Sequence, residues 1–198
     1  MLIEDTEVLA AVLPVEDFKA HLRLGRGFTG DTVQDAVLES FLRAALSAVE
    51  GRTGKVLLSR DFTWRIPEWH NRAGEELPVG PVTEILELAL LDADEVATTV
   101  DPLRYRLHRD THFPMIYGRS AGLPMPPSGG SIRVRFSGGF GPSWDDLPPD
   151  LAQAVMLLAA HFYENREATG LGAGCMPFGV TSLLQRYRPM RLFRGAEL

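Results

Sequence analysis

The hydrophobic period of the chain changes twice along its length, and this limits the folds open to it more than any other feature. Residues 132–137 alternate strictly, with Ile132, Val134 and Phe136 on one side and Arg133, Arg135 and Ser137 on the other. Side chains of a strand point to opposite faces in turn, so this pattern predicts a strand with one buried face. Upstream, Val33, Val37, Phe41, Ala44 and Ala48 recur at helical spacing, and Leu38, Leu42, Ala45 and Val49 form a second stripe beside them. Two adjacent stripes predict a helix covered on much of its circumference, by other helices or by a partner subunit.

Punctuation sets the remaining elements. Pro14 precedes a short helix over residues 15–24, with Phe18, Leu22 and Val15 on one face. Asp31, with Gln34 three positions on, suits the start of the long helix, and Gly54 suits its end. Phe62, Trp64 and Ile66 alternate with Thr63 and Arg65 as a half-buried strand. Residues 82–91 read as a strand rich in buried positions, and Tyr105 and Leu107 alternate with Arg104, Arg106 and His108. Helix returns after Pro148 and Pro149, with Asp150 in its first turn and Leu151, Val155, Leu158, Ala159 and Phe162 on its apolar face. A short amphipathic helix over residues 180–187 follows a glycine-rich loop. The expected fold is α+β: an antiparallel helical bundle of N- and C-terminal helices with an inserted small antiparallel β-sheet or sandwich. The expected division is a helical core of residues 1–54 and 142–187, a β-rich region of residues 55–141, and a C-terminal tail of residues 188–198.

Composition narrows the function. With 198 residues, the chain is long enough to bury a core without staples. The single Cys175 excludes an internal disulfide and a cysteine-based metal cluster. No apolar run is long enough for a membrane span, and the acidic start (Glu4, Asp5, Glu7) does not read as a signal peptide, so synthesis in the cytoplasm and no membrane partner are expected. A formal net charge of −6 argues against nucleic-acid binding over the whole surface.

The candidate chemistry is sparse. His108, Asp110 and His112 would share one side of an extended segment, but they lack the further ligand that a metal site needs. Gly129-Gly130 and Gly138-Gly139-Phe140-Gly141 lack the lysine and hydroxyl of a phosphate loop and read as turns flanking a strand. Asp145 and Asp146 sit at a helix entrance, where carboxylates serve the dipole. His161 reads as a hydrogen-bonded core or interface histidine, and Cys175 has no activating base nearby in sequence. No catalytic residue, cofactor site or metal site is expected, and a metal-dependent hydrolase using the two histidines and Asp110 is the enzymatic alternative.

The C-terminal arginines differ. Arg186, Arg188, Arg191 and Arg194 interleave with Tyr187, Met190, Leu192 and Phe193. Arginines and aromatics dominate binding hot spots, so the segment reads as a docking peptide or as a tail packed on its own domain.

These features come in an order that carries a resemblance. It starts at Val15-Glu16-Asp17-Phe18-Lys19-Ala20-His21-Leu22-Arg23, followed by Ala44-Ala45-Leu46-Ser47-Ala48-Val49-Glu50-Gly51-Arg52-Thr53-Gly54 and by Leu77-Pro78-Val79-Gly80-Pro81-Val82. Then come Val134-Arg135-Phe136-Ser137-Gly138-Gly139-Phe140-Gly141, Leu147-Pro148-Pro149-Asp150-Leu151-Ala152-Gln153-Ala154-Val155 and His161-Phe162-Tyr163-Glu164-Asn165-Arg166-Glu167. Last are Pro177-Phe178-Gly179-Val180 and Leu183-Leu184-Gln185-Arg186-Tyr187-Arg188. In this order the chain resembles the larger head–tail connector proteins of long-tailed phages and gene transfer agents. The resemblance implies a structural adaptor in a ring of about twelve copies beneath the portal protein, at the head–tail junction of a virion or phage-like particle. DNA would pass through the lumen without sequence-specific binding, and the next connector or tail-terminator component would dock on the tail side. Carried over by position, portal docking falls on Leu183, Leu184, Arg186, Tyr187, Arg188, Met190, Arg191, Leu192 and Phe193. Val37, Phe41, Leu42 and Phe162 are the expected contacts between ring subunits. A stopper or tail-terminator ring protein is the structural alternative.

Overall fold

A computed structural model of the chain describes residues 1–24, 32–166 and 176–188. Strand β1 (Leu2–Glu4) opens the chain, followed by helices α1 (Val15–His21) and α2 (Thr32–Thr53). Seven strands follow: β2 (Arg60–Ile66), β3 (Gly74–Glu76), β4 (Val82–Leu91), β5 (Ala97–Thr99), β6 (Tyr105–His108), β7 (Met115–Gly118) and β8 (Ser131–Gly138). Helices α3 (Pro149–Glu164) and α4 (Phe178–Leu184) close the described chain, with a 3₁₀ turn at Gln185–Tyr187. The fold is α+β, and all its strand pairs are antiparallel.

Five strands form one sheet in the order β1-β2-β8-β4-β5, and three form a second in the order β3-β7-β6. Register follows the alternation in the sequence: Phe62 lies opposite Phe136, Trp64 opposite Val134 and Ile66 opposite Ile132. The Phe62 and Phe136 rings stack with centroids 5.5 Å apart. This face and the second sheet share one apolar cluster that also holds Trp69, Leu77, Leu88, Tyr105, Ile116 and Leu123.

A second cluster belongs to the helices. Phe18 of α1, Leu38, Leu42, Ala45 and Val49 of α2, Leu151, Val155, Leu158 and Ala159 of α3, and Val180 and Leu184 of α4 are all buried in it. The two stripes of α2 therefore part company. The Leu38 stripe is fully buried, whereas Val37 and Ala44 are exposed and Phe41 and Ala48 half-buried. At the C-terminal end of α2, Gly54 has φ +66°, the left-handed conformation that ends a helix at little cost to glycine, whereas Asp31, expected at its start, lies outside the described residues.

Residues 56–58 join the clusters, with Val56 packed into the sheet core and Leu57 and Leu58 into the helical one. The expected helical segment 1–54 is corrected at its start. Leu2–Glu4 adds an edge strand to the large sheet, with Leu2 opposite Trp64 and Glu4 opposite Phe62. All three residues of that strand are exposed, so no alternation in the sequence marks it.

Candidate functional site

The root of the C-terminal segment is built by α4, the start of α3 and the turn after β8. Val180 and Leu184 anchor α4 in the helical core, and the chain then tightens into the Gln185–Tyr187 turn. The Tyr187 ring is buried and meets Phe140 edge-on, with centroids 6.5 Å apart. Its hydroxyl donates to Asp150 Oδ1 at 2.7 Å. Burial first, then the hydrogen bond and the charge of Asp150, push the phenol up to about 12, so the hydroxyl keeps its proton and remains the donor. Arg186 Nη1 lies 3.2 Å from Asp150 Oδ2, and its guanidinium stacks on the Tyr187 ring at 5.0 Å. Asp150 sits in the first turn of α3, where its charge also favours the helix dipole.

This geometry sorts the expected docking residues. Leu184 and Tyr187 are interior side chains of this chain's own core, and so are not free to meet a partner. Leu183 is half-buried, and Arg186 and Arg188 are exposed. Met190, Arg191, Leu192 and Phe193 lie outside the described residues. Among the expected ring contacts, Leu42 is fully buried in the helical core that α2 shares with α1 and α3. Val37 is 42% exposed. Phe41 packs edge-on against Tyr163 with centroids 5.8 Å apart, and Phe162 is half-buried. The sequence reading missed Leu9 and Phe178, which are 71% and 88% exposed. Their signal, a large apolar side chain beside proline or in an irregular segment, is too common to single them out.

The remaining candidates resolve into local structure. Strand β6 ends at His108, and Asp110 Oδ1 then accepts the backbone N–H of His112 and of Phe113, both at 2.7 Å. These two bonds hold the Asp110 carboxyl below the usual carboxylate range. The loop is tied down by Arg109 Nε on the Thr83 carbonyl at 2.8 Å and by the buried Lys55, whose Nζ donates to the His112 carbonyl at 3.4 Å. Burial pushes that lysine below its ordinary value. Among the described residues no three His, Cys, Asp or Glu side chains converge as metal ligands.

Gly138-Gly139-Phe140-Gly141 is a turn that lies against residues 57–59. Gly139 has φ +137°, and a Cβ there would come within 2.5 Å of the Ser59 Cα, so only glycine fits. Asp146 closes a capping box with Ser143, and Asp145 N–H donates to the Ser143 hydroxyl. Asn165 Nδ2 lies 3.1 Å from His161 Nδ1 and donates to the His161 carbonyl at 2.9 Å. Cys175 lies outside the described residues.

The candidate polar groups Asp110, Asp145, Asp146 and His161 are thus engaged in turns, caps and local hydrogen bonds. The chain matches one from the neck of an empty gene transfer agent (GTA) particle computed with C6 symmetry, at 47% identity and a TM-score of 0.89 over 98% of both chains. It matches one from the virion of a native GTA particle at 46% identity, with a TM-score of 0.86 over 98% of both chains. It also matches one from the neck of a native GTA particle computed with C12 symmetry, at 44% identity, with a TM-score of 0.84 and the same coverage. No protein-family model and no curated protein matches it. The class defined by these likenesses is the structural neck component of a virion, located at the head–tail junction. Within that class, the chain belongs to the family of gene transfer agent neck proteins.

Proposed function

We propose that this chain is the head–tail adaptor subunit of a phage-like particle, forming a ring beneath the portal protein that joins the capsid to the tail. The observation that carries this reading is 44–47% identity, over 98% of the chain, to chains of GTA particles whose necks have sixfold and twelvefold symmetry. A closed ring needs two different patches on each subunit, meeting head to tail. Val37 and Phe41 on the outer stripe of α2, with Phe162 on α3, form one patch, and the helices supporting them act as an antiparallel bundle. The basic, apolar segment after Tyr187, with Arg188, Met190, Arg191, Leu192 and Phe193, serves as the portal anchor. Arg186 and Leu183 stand at its root. The net charge of −6 suits the wall of a conduit through which DNA passes without adhering. The tail-side face meets the next connector or tail-terminator component.

Because Tyr187 is a core residue, the informative truncation ends at Arg188. Purified portal protein is expected to bind the full-length chain and not the truncated one, while circular dichroism shows the same fold for both. Equal binding by the two chains would move the portal site off the tail. A portal protein that ignores the full-length chain would overturn the adaptor role.

A further inference from the structure

The clasp around Tyr187 does more than finish the helical core. It consists of a buried ring against Phe140, a hydroxyl on Asp150 and a guanidinium bridging the same carboxylate. These contacts reach the chain at the last buried position among the described residues, one before the exposed Arg188. From there on the sequence is the basic, apolar segment assigned to the portal. We infer that Asp150 and Tyr187 are positioning residues for portal docking: they hold in place residues 185–188, the root from which the C-terminal segment continues. This inference rests on the adaptor reading.

The two halves of the clasp do not contribute equally. Arg186 is 73% exposed on its side chain, so its pair with Asp150 is screened and weak. The Tyr187 hydroxyl bond is charge-assisted and sits between a buried ring and a carboxylate only 21% exposed, so it holds the root. Asp150 can serve because α3 begins there: Pro149 fixes the first turn, and the Asp150 carboxylate also accepts the Leu151 N–H at 3.2 Å. A segment with a fixed root loses less conformational freedom on docking than one whose root must be ordered in the same step. In a ring the effect repeats at every subunit, since each root must face its own portal site.

The test uses full-length chain with Tyr187→Phe, which removes one hydroxyl and keeps the ring, and with Asp150→Ala. Three quantities are compared with the wild type: thermal midpoint, amide exchange over residues 178–188, and portal affinity. A synthetic peptide of residues 189–198 gives the affinity of an unrooted segment. The inference expects both variants to stay folded and to exchange faster at the root. Portal binding should weaken by about tenfold toward the peptide's value, the effect of freeing on the order of one residue's backbone. Unchanged portal affinity in a folded variant with a loosened root would overturn it, and so would unchanged exchange in both variants. Should one variant fail to fold, the other decides. If wild-type chain does not bind the portal at all, the adaptor reading fails and takes the inference with it.

Discussion

Leu42 and Val37 are near neighbours on α2 and both read as apolar, yet the fold uses them for different purposes. Leu42 is fully buried in the core that α2 shares with α1 and α3, whereas Val37 stands on the exposed stripe. Leu42→Ala should leave a cavity and cost about 2–5 kcal/mol in a urea titration. Val37→Asp should change stability by no more than about 0.5 kcal/mol, since surface substitutions away from packed features rarely do more. If Val37 lies in a ring contact, that variant should still reduce the number of copies that assemble on the portal. The sequence could not separate these residues. A wide apolar surface on a helix has the same pattern whether the chain's own helices or another subunit's cover it, and only the packing of α1 and α3 decides.

At the scale of elements, β1, β2 and α2 are held together by one guanidinium. Arg60 on β2 donates through Nη1 to Glu4 of β1 at 2.9 Å, and through Nη2 to both carboxylate oxygens of Glu50 on α2 at 2.6 and 2.7 Å. Its side chain is 6% exposed, and burial pushes Glu50 above its ordinary carboxylate range despite the pairing. Removing one partner of such a pair strands the other, so Arg60→Ala should destabilise the fold by about 3–5 kcal/mol in a denaturant titration. A loss below about 1 kcal/mol would mean that Glu50 is rehydrated or protonated with ease. The reach of the sequence differs by element. Strands β2 and β8 were legible because each alternates over its whole length with one face in a core. Strand β1 was not: it is three residues long, exposed on both faces, and held by pairing to residues about sixty positions away.

On the scale of the whole molecule, the chain has two apolar cores joined by residues 56–58, a helical one closed by the C-terminal turn and a sheet core shared by two antiparallel sheets. The α+β class and the helical start and finish could be read from periodicity. The split of the strands into two sheets could not, because β4 pairs with β8 across the intervening β5, β6 and β7 and no local pattern records which distant strand is the neighbour. The candidate site was half legible. The charge and aromatic content of the C-terminal segment were visible, whereas the membership of Leu184 and Tyr187 in the core depends on Phe140 and Asp150, far away in sequence. The most direct test of the adaptor reading is native mass spectrometry of assembled portal protein mixed with excess chain. The account predicts a saturated complex with one chain per portal subunit, about twelve in all, as a closed ring requires. Saturation at one or two copies, or no complex, would contradict it.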